Sequence, residues 1–125
     1  MTTVSGTLPG PAGPYSHVAR VDNTLYAAGQ SGADTGGVLP DGIAAQSEQC
    51  YRNILTALAA GGASEKDVVK VTVYLTAVEH FETMNAAYAA AFTSPYPART
   101  TVYVTLPPGM LIEADAIAMT QETAE

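Results

Sequence analysis

The chain has 125 residues, 47% of them hydrophobic, and a formal charge of −7 from twelve acidic and five basic side chains. That length supplies one hydrophobic core but not two, and the composition excludes a mainly disordered chain. The acidic excess argues against a nucleic-acid surface, because phosphate binding rests on Lys and Arg. A lone Cys50 leaves no intramolecular disulfide and no cysteine cluster for zinc. No basic segment followed by an apolar run opens the chain, and no stretch approaches transmembrane length. The sequence therefore predicts a soluble, cytoplasmic protein with residues 1–125 as a single domain and no membrane partner.

Met1 to Gly13 is rich in Thr, Gly and Pro and predicts an arm or short edge strand. Gly13-Pro14-Tyr15-Ser16-His17 then forms a turn that delivers polar and aromatic side chains into Val18-Ala19-Arg20-Val21. Asp22-Asn23 separates that run from Thr24-Leu25-Tyr26-Ala27-Ala28, the pattern of a two-residue hairpin. Gly29 and Gly32 follow; glycines there either admit a ligand to the backbone or mark a bulge. For Gly32 the bulge reading is preferred, and Gly29 stays open. Asp41 is placed to cap a helix with Ile43, Ser47, Cys50, Ile54 and Leu58 on its inner stripe, stopped by Gly61-Gly62. Cys50 on that stripe reads as core rather than nucleophile.

Ser64-Glu65-Lys66-Asp67 predicts a short capped turn into a strand with Val69, Val71, Val73 and Leu75 on one face. Lys70, Thr72 and Tyr74 take the other face. A second helix is predicted from Glu79 to Phe92, with Phe81, Met84, Tyr88 and Phe92 buried and Asn85 at the stripe's edge. By pattern alone Asn85 is a surface amide. His17 and His80 read as ordinary polar residues.

Tyr96-Pro97-Ala98 closes the helix and opens a β-branched and aromatic strand at Arg99. Leu106-Pro107-Pro108-Gly109 breaks it, and a final strand runs from Met110 to about Met119. Period-two geometry puts Glu113 and Asp115 on one face, about 6–7 Å apart, and Ile112, Ala114, Ala116 and Ala118 on the other. The alanine face suits a closely packed helix. Paired carboxylates repel when both are ionised, so a cation such as Arg99 is useful nearby. Arg99 either grips an anionic small molecule or forms a structural bridge with Glu113 or Asp115; both readings stand on pattern alone. The element order predicts an α+β fold, a mixed six-stranded (or near) sheet with two helices on one face. Its uncovered face calls for self-association.

The chain resembles the Rid (reactive intermediate deaminase, formerly YjgF) family over nearly its whole length. The matching pieces are Gly13-Pro14-Tyr15-Ser16, Leu25-Tyr26 through Gly29-Gln30, and Val69-Val71-Val73-Tyr74. Further along come Met84-Asn85-Ala86-Ala87-Tyr88, Tyr96-Pro97-Ala98-Arg99-Thr100 and Ile112-Glu113 through Ala116-Ile117-Ala118. Each is weak alone, but in order on the predicted elements they form a specific signal. The resemblance implies a chorismate-mutase-like fold, a homotrimer with clefts between subunits, and cofactor-free, metal-free hydrolysis of 2-imino acids to 2-keto acids and ammonia. It implies that Arg99 holds the substrate carboxylate and Glu113 positions the water. It places Tyr15, Gly29, Asn85 and Thr101 along the cleft, although Tyr15 reads equally well as a packing aromatic.

The chain departs from the family pattern at Ala28, where Ser is frequent, and at Thr101, where Cys is common. His17 stands for Gln, Asp115 stands for Glu, and the Val104-Thr105-Leu106 connection is one residue shorter. None of these removes the clamp or the water-activating acid. The leading expectation is deamination of small 2-imino or enamino acids. The alternatives are a pathway-specific member acting on one dedicated intermediate, or a silent trimer that binds small carboxylates. Ribonuclease activity fits the charge least.

Overall fold

The computed structural model describes residues 8–121. A hairpin of β1 (Val18–Val21) and β2 (Thr24–Ser31) leads into α1 (Ile43–Ala60). Then come β3 (Val68–Leu75), α2 (Phe81–Ala91), β4 (Ala98–Tyr103) and β5 (Ile112–Met119). The sheet order is β1-β2-β5-β3-β4, so the last strand in sequence lies at the centre. β3 and β4 are parallel, joined across α2, and all other neighbours are antiparallel. The α+β class and the mixed sheet agree with the sequence reading.

The strand count is five rather than six. Residues 8–17 carry no strand. Pro9, Pro11 and Pro14 cannot donate to a ladder, which leaves this segment irregular. The part of the predicted N-terminal arm before Leu8 lies outside the described residues.

The β1–β2 turn has Asp22 at φ 54°, the left-handed conformation that Asp tolerates. Along β5, Ile112, Ala114, Ala116 and Ala118 are buried, and α1 lies across β5 and β2. Methyl side chains let the helix axis come close. Gly32 takes this furthest, because a Cβ there would lie 2.4 Å from the Gln46 carbonyl oxygen of α1. Its role is packing against α1 rather than the bulge expected at this glycine, since the β2 bulge falls between Ala27 and Gln30. From α1, Cys50, Ile54, Ala57 and Leu58 are fully buried, and Tyr51 meets Tyr88 and Phe92 from the second helical segment in edge contacts. Gln46, also buried, donates to the Pro40 and Gly109 carbonyls and accepts from the Leu111 N–H, tying α1 to both neighbouring loops.

Four local expectations are corrected. Val69 is 45% exposed and Val68 is buried instead, because one extra residue enters β3 between Val68 and Lys70 opposite β5. Asp41 does not cap α1: the N-cap is Gly42, at φ 88°, with no side-chain cap bond. Asp41 sits one residue too early to reach the first free N–H groups. The second helix starts at Phe81 after a 3-10 turn at Val78–His80, and Phe92 stays buried as its C-cap. β5 starts at Ile112 rather than Met110, because the Leu111 N–H is taken by the Gln46 side chain. The capped turn at Ser64–Asp67 is present as predicted.

Close packing at Gly32 has a measurable consequence. Gly32→Ala is expected to cost about 1–3 kcal/mol of stability through overpacking. Its urea midpoint at fixed protein concentration falls clearly below that of Gly10→Ala, where an added Cβ meets nothing within 4 Å.

Candidate functional site

Strand register decides which side of the sheet each candidate residue occupies. Arg99 pairs with Val71, whose side chain is buried under the helices, so Arg99 faces the helix side. Its guanidinium carbon lies 4.7 Å from the Tyr88 ring centre and 5.7 Å from that of Phe81. Nη1 donates to the Met84 sulfur at 3.7 Å, a weak acceptor. Among the described residues no carboxylate forms an ion pair with Arg99. The guanidinium borders an open pocket of about 510 Å³ lined by Asn85, Tyr88, Ala89, Tyr96 and Pro97. Asn85, an edge amide by periodicity, is half-buried in that lining. Thr101 shares the face of Arg99 one repeat along β4.

Glu113 occupies the opposite side. On β5 it alternates with buried Ile112 and Ala114, and it stands across from Ser31 on β2 and Tyr74 on β3. The β2 bulge between Ala27 and Gln30 brings Gly29 over it. A Cβ on Gly29 would lie 2.7 Å from Glu113 Oε2, so glycine is what lets the carboxylate rest against the strand. The bulge and the close approach, left as alternatives by the sequence, occur together. Glu113 lies on a second, smaller basin of about 290 Å³, with Tyr15, His17, Gly29 and Pro107 in its walls.

Two residues with no role assigned by pattern act near Glu113, His17 in the basin wall and Tyr74 across from it on β3. His17 is only 1% exposed, and its Nε2 donates to the Pro9 carbonyl at 2.8 Å, pinning the loop that carries Tyr15. The Tyr15 hydroxyl accepts from the Ala12 N–H at 3.1 Å while its ring remains exposed. Burial of His17 has no periodic signal in a loop, so pattern reading misses it. Tyr74 is the second: its hydroxyl donates to Asp115 Oδ2 at 2.8 Å. That hydrogen bond is the main reason the Tyr74 phenol is pushed up to about 12.

Electrostatics separate the two acids. Burial, and then the charge of Asp115 two residues away, raise the Glu113 pKa above the usual carboxylate range. Asp115 is stabilised by the Tyr74 hydroxyl; Glu113 has no comparable donor among the described residues. The sequence reading put Arg99 near the two acids, either gripping an anionic ligand or bridging Glu113 or Asp115. Within one chain the structure does not bring them together: β3 lies between their strands, a separation of about 9–10 Å, and they face opposite sides of the sheet. The chain thus carries a cationic half-site and an acidic half-site.

Among the described residues no group of three or more His, Cys, Asp or Glu side chains is placed to hold a metal. No described helix is long and apolar enough to cross a membrane.

Residues 5–120 match the family described as Endoribonuclease L-PSP. A bovine 2-iminobutanoate/2-iminopropanoate deaminase is 40% identical over 114 residues, covering 89% of this chain and 83% of that protein. A RutC family protein of Pyrococcus horikoshii is 44% identical over 113 residues, covering 88% and 90%. Among solved structures, RidA from an Antarctic Psychrobacter superposes with a TM-score of 0.91 at 38% identity, over 96% of this chain and 99% of that one. A match of this length, on a sheet with the same fold as RidA, makes the chain a member of the Rid family, formerly called YjgF.

Proposed function

We propose that this protein hydrolyses small 2-imino acids to 2-keto acids and ammonia, in a site completed where two copies meet. The observation that carries the reading is Arg99, a cation facing an open pocket with no carboxylate partner among the described residues. A planar guanidinium with free N–H groups matches a carboxylate bidentately, better than a lysine. Relatives named 2-iminobutanoate/2-iminopropanoate deaminases, about 40% identical over most of the chain, support imine chemistry.

In this reading the Arg99 pocket of one copy faces the Glu113 basin of the next. Asn85 and Thr101 flank the clamp, and Tyr15 and Gly29 flank the acid. Ionised Glu113 accepts a proton from a water as the water oxygen bonds to C2 of the imine. Glu113 passes that proton to the imine nitrogen, giving a 2-amino-2-hydroxy acid. The carboxylate then takes the C2 hydroxyl proton and delivers it to the amino group, so that the C2–N bond breaks, ammonia leaves and the C2 carbonyl forms. Water and imine are consumed, and the acid returns to its starting state. A carboxylate with a raised pKa suits both transfers, since it takes and returns a proton nearer neutral pH than an ordinary glutamate.

Self-association is part of the proposal. The sheet side away from the helices exposes Val21, Tyr26 and Met119 beside the two acids, a mixed surface suited to an interface with a polar site. We propose three copies, the number that the family resemblance implies. The acidic domain and the buried, free Cys50 thiol suit a reducing cytoplasm.

Light scattering is expected to give the mass of three chains; a stable monomer that remains fully active would refute the shared site. The activity test forms 2-iminobutanoate in situ and follows its capture by semicarbazide. Wild-type protein should suppress capture and speed keto-acid release, while Arg99→Ala lowers kcat/KM by about a hundredfold or more, the worth of two charge-assisted hydrogen bonds. Saturable binding of 2-oxobutanoate without turnover would mark a silent carboxylate binder instead. The pH dependence follows from Glu113. Activity above the uncatalysed rate falls as pH drops through its raised pKa, because only the ionised form accepts the proton. Asp115→Asn removes the neighbouring charge, lowers that pKa, and moves the acid limb of the kcat/KM profile to lower pH.

A further inference from the structure

The surroundings of Arg99 raise a question that the clamp assignment leaves unanswered. A long, flexible arginine that must receive a carboxylate needs a fixed position, yet the usual fixers are acids or carbonyls that would occupy its N–H groups. Among the described residues, the fixing contacts come from one face of α2. Phe81, Met84 and Tyr88 stand at positions i, i+3 and i+7, so their side chains line up along two turns. The guanidinium carbon lies over both rings, at 5.7 Å for Phe81 and 4.7 Å for Tyr88, with the Met84 sulfur between them taking one N–H weakly. No oxygen acceptor among the described residues takes the remaining donors.

Tyr88 is itself held firmly. Its ring meets Tyr51 edge-on at 5.4 Å and lies tilted against Phe92 at 4.6 Å. Its hydroxyl is buried with no hydrogen-bond partner among the described residues, so what Tyr88 supplies to its neighbours is its ring.

We infer that Phe81 and Tyr88 are positioning residues for carboxylate recognition, holding Arg99 by cation–π attraction and leaving its N–H edge free for the substrate. This rests on the reading of Arg99 as the clamp. The aromatic cradle sets affinity for the anionic end of the substrate and leaves the reaction at C2 to the other half-site. It also explains how an uncompensated charge is kept half-buried: ring faces stabilise a cation without neutralising it.

The test combines steady-state rates on 2-iminobutanoate formed in situ with competitive inhibition by 2-oxobutanoate and by its neutral amide. Tyr88→Leu and Phe81→Leu are each expected to raise KM and weaken inhibition by the acid about threefold to thirtyfold, the range of a cation–π contact, with kcat little changed. Inhibition by the amide stays the same. Tyr88→Phe keeps the ring and stays within twofold of wild type. Should Tyr88→Leu fail to fold, Phe81→Leu decides, since Phe81 is only partly buried. Unchanged inhibition by the acid, or equal weakening of acid and amide, overturns the positioning role. If Arg99→Ala still loses the acid in that case, the clamp stands without its cradle. If Arg99→Ala binds the acid like wild type, the clamp reading falls and this inference falls with it.

Discussion

The alternation of small apolar and acidic side chains along β5 constrains the rest of the molecule. Ala114, Ala116 and Ala118 give the strand a shallow inner face, and α1 settles closely enough that a methyl group on Gly32 would press on the Gln46 backbone. The same alternation sends Glu113 and Asp115 to the outer face. Since β5 lies between β2 and β3, those acids come to the middle of the sheet rather than its edge. A one-residue slip would bury both carboxylates and expose the alanines, so packing against α1 also fixes where the acids point.

The bulges adjust this frame locally. The extra residue in β2 brings Gly29 onto the Glu113 carboxylate, and the one in β3 turns Val69 outward while Val68 enters the core. One bulge shapes the acidic basin; the other spares the core a misplaced valine. His17 acts in the same region by tying the Pro9 segment down, so that Tyr15 has a defined place at the rim.

Charge is handled differently on the two sides of the sheet. On the outer side two acids of like sign share a surface; the Tyr74 hydroxyl donates to Asp115, while burial and the charge of Asp115 raise the Glu113 pKa. On the helix side a single guanidinium rests on aromatic faces and a thioether. Among the described residues, neither half-site's charge is paired with an opposite one. Two such surfaces on one chain are complementary to each other, which is the physical basis for the shared site proposed above.

What the sequence determined by itself is local. Both helices, all five described strands, the Asp22 turn, the Ser64 cap and the faces of β5 follow from periodicity and turn chemistry, which act over a few residues. The types of residue at the site were legible too: an arginine opening a strand, two acids two residues apart, a glycine that is either bulge or contact. Only the tertiary structure decided how these faces relate. Period two says which side chains share a face within a strand, but not which face of the next strand they join. Hence Arg99 and Glu113, natural partners by charge, lie on opposite sides of the sheet, since each strand's orientation is set by its own buried residues. The burial of His17, the Tyr74–Asp115 bond and the aromatic cradle of Arg99 likewise join residues far apart in the chain or held in a loop. Such contacts depend on long-range register and packing, which no local pattern encodes.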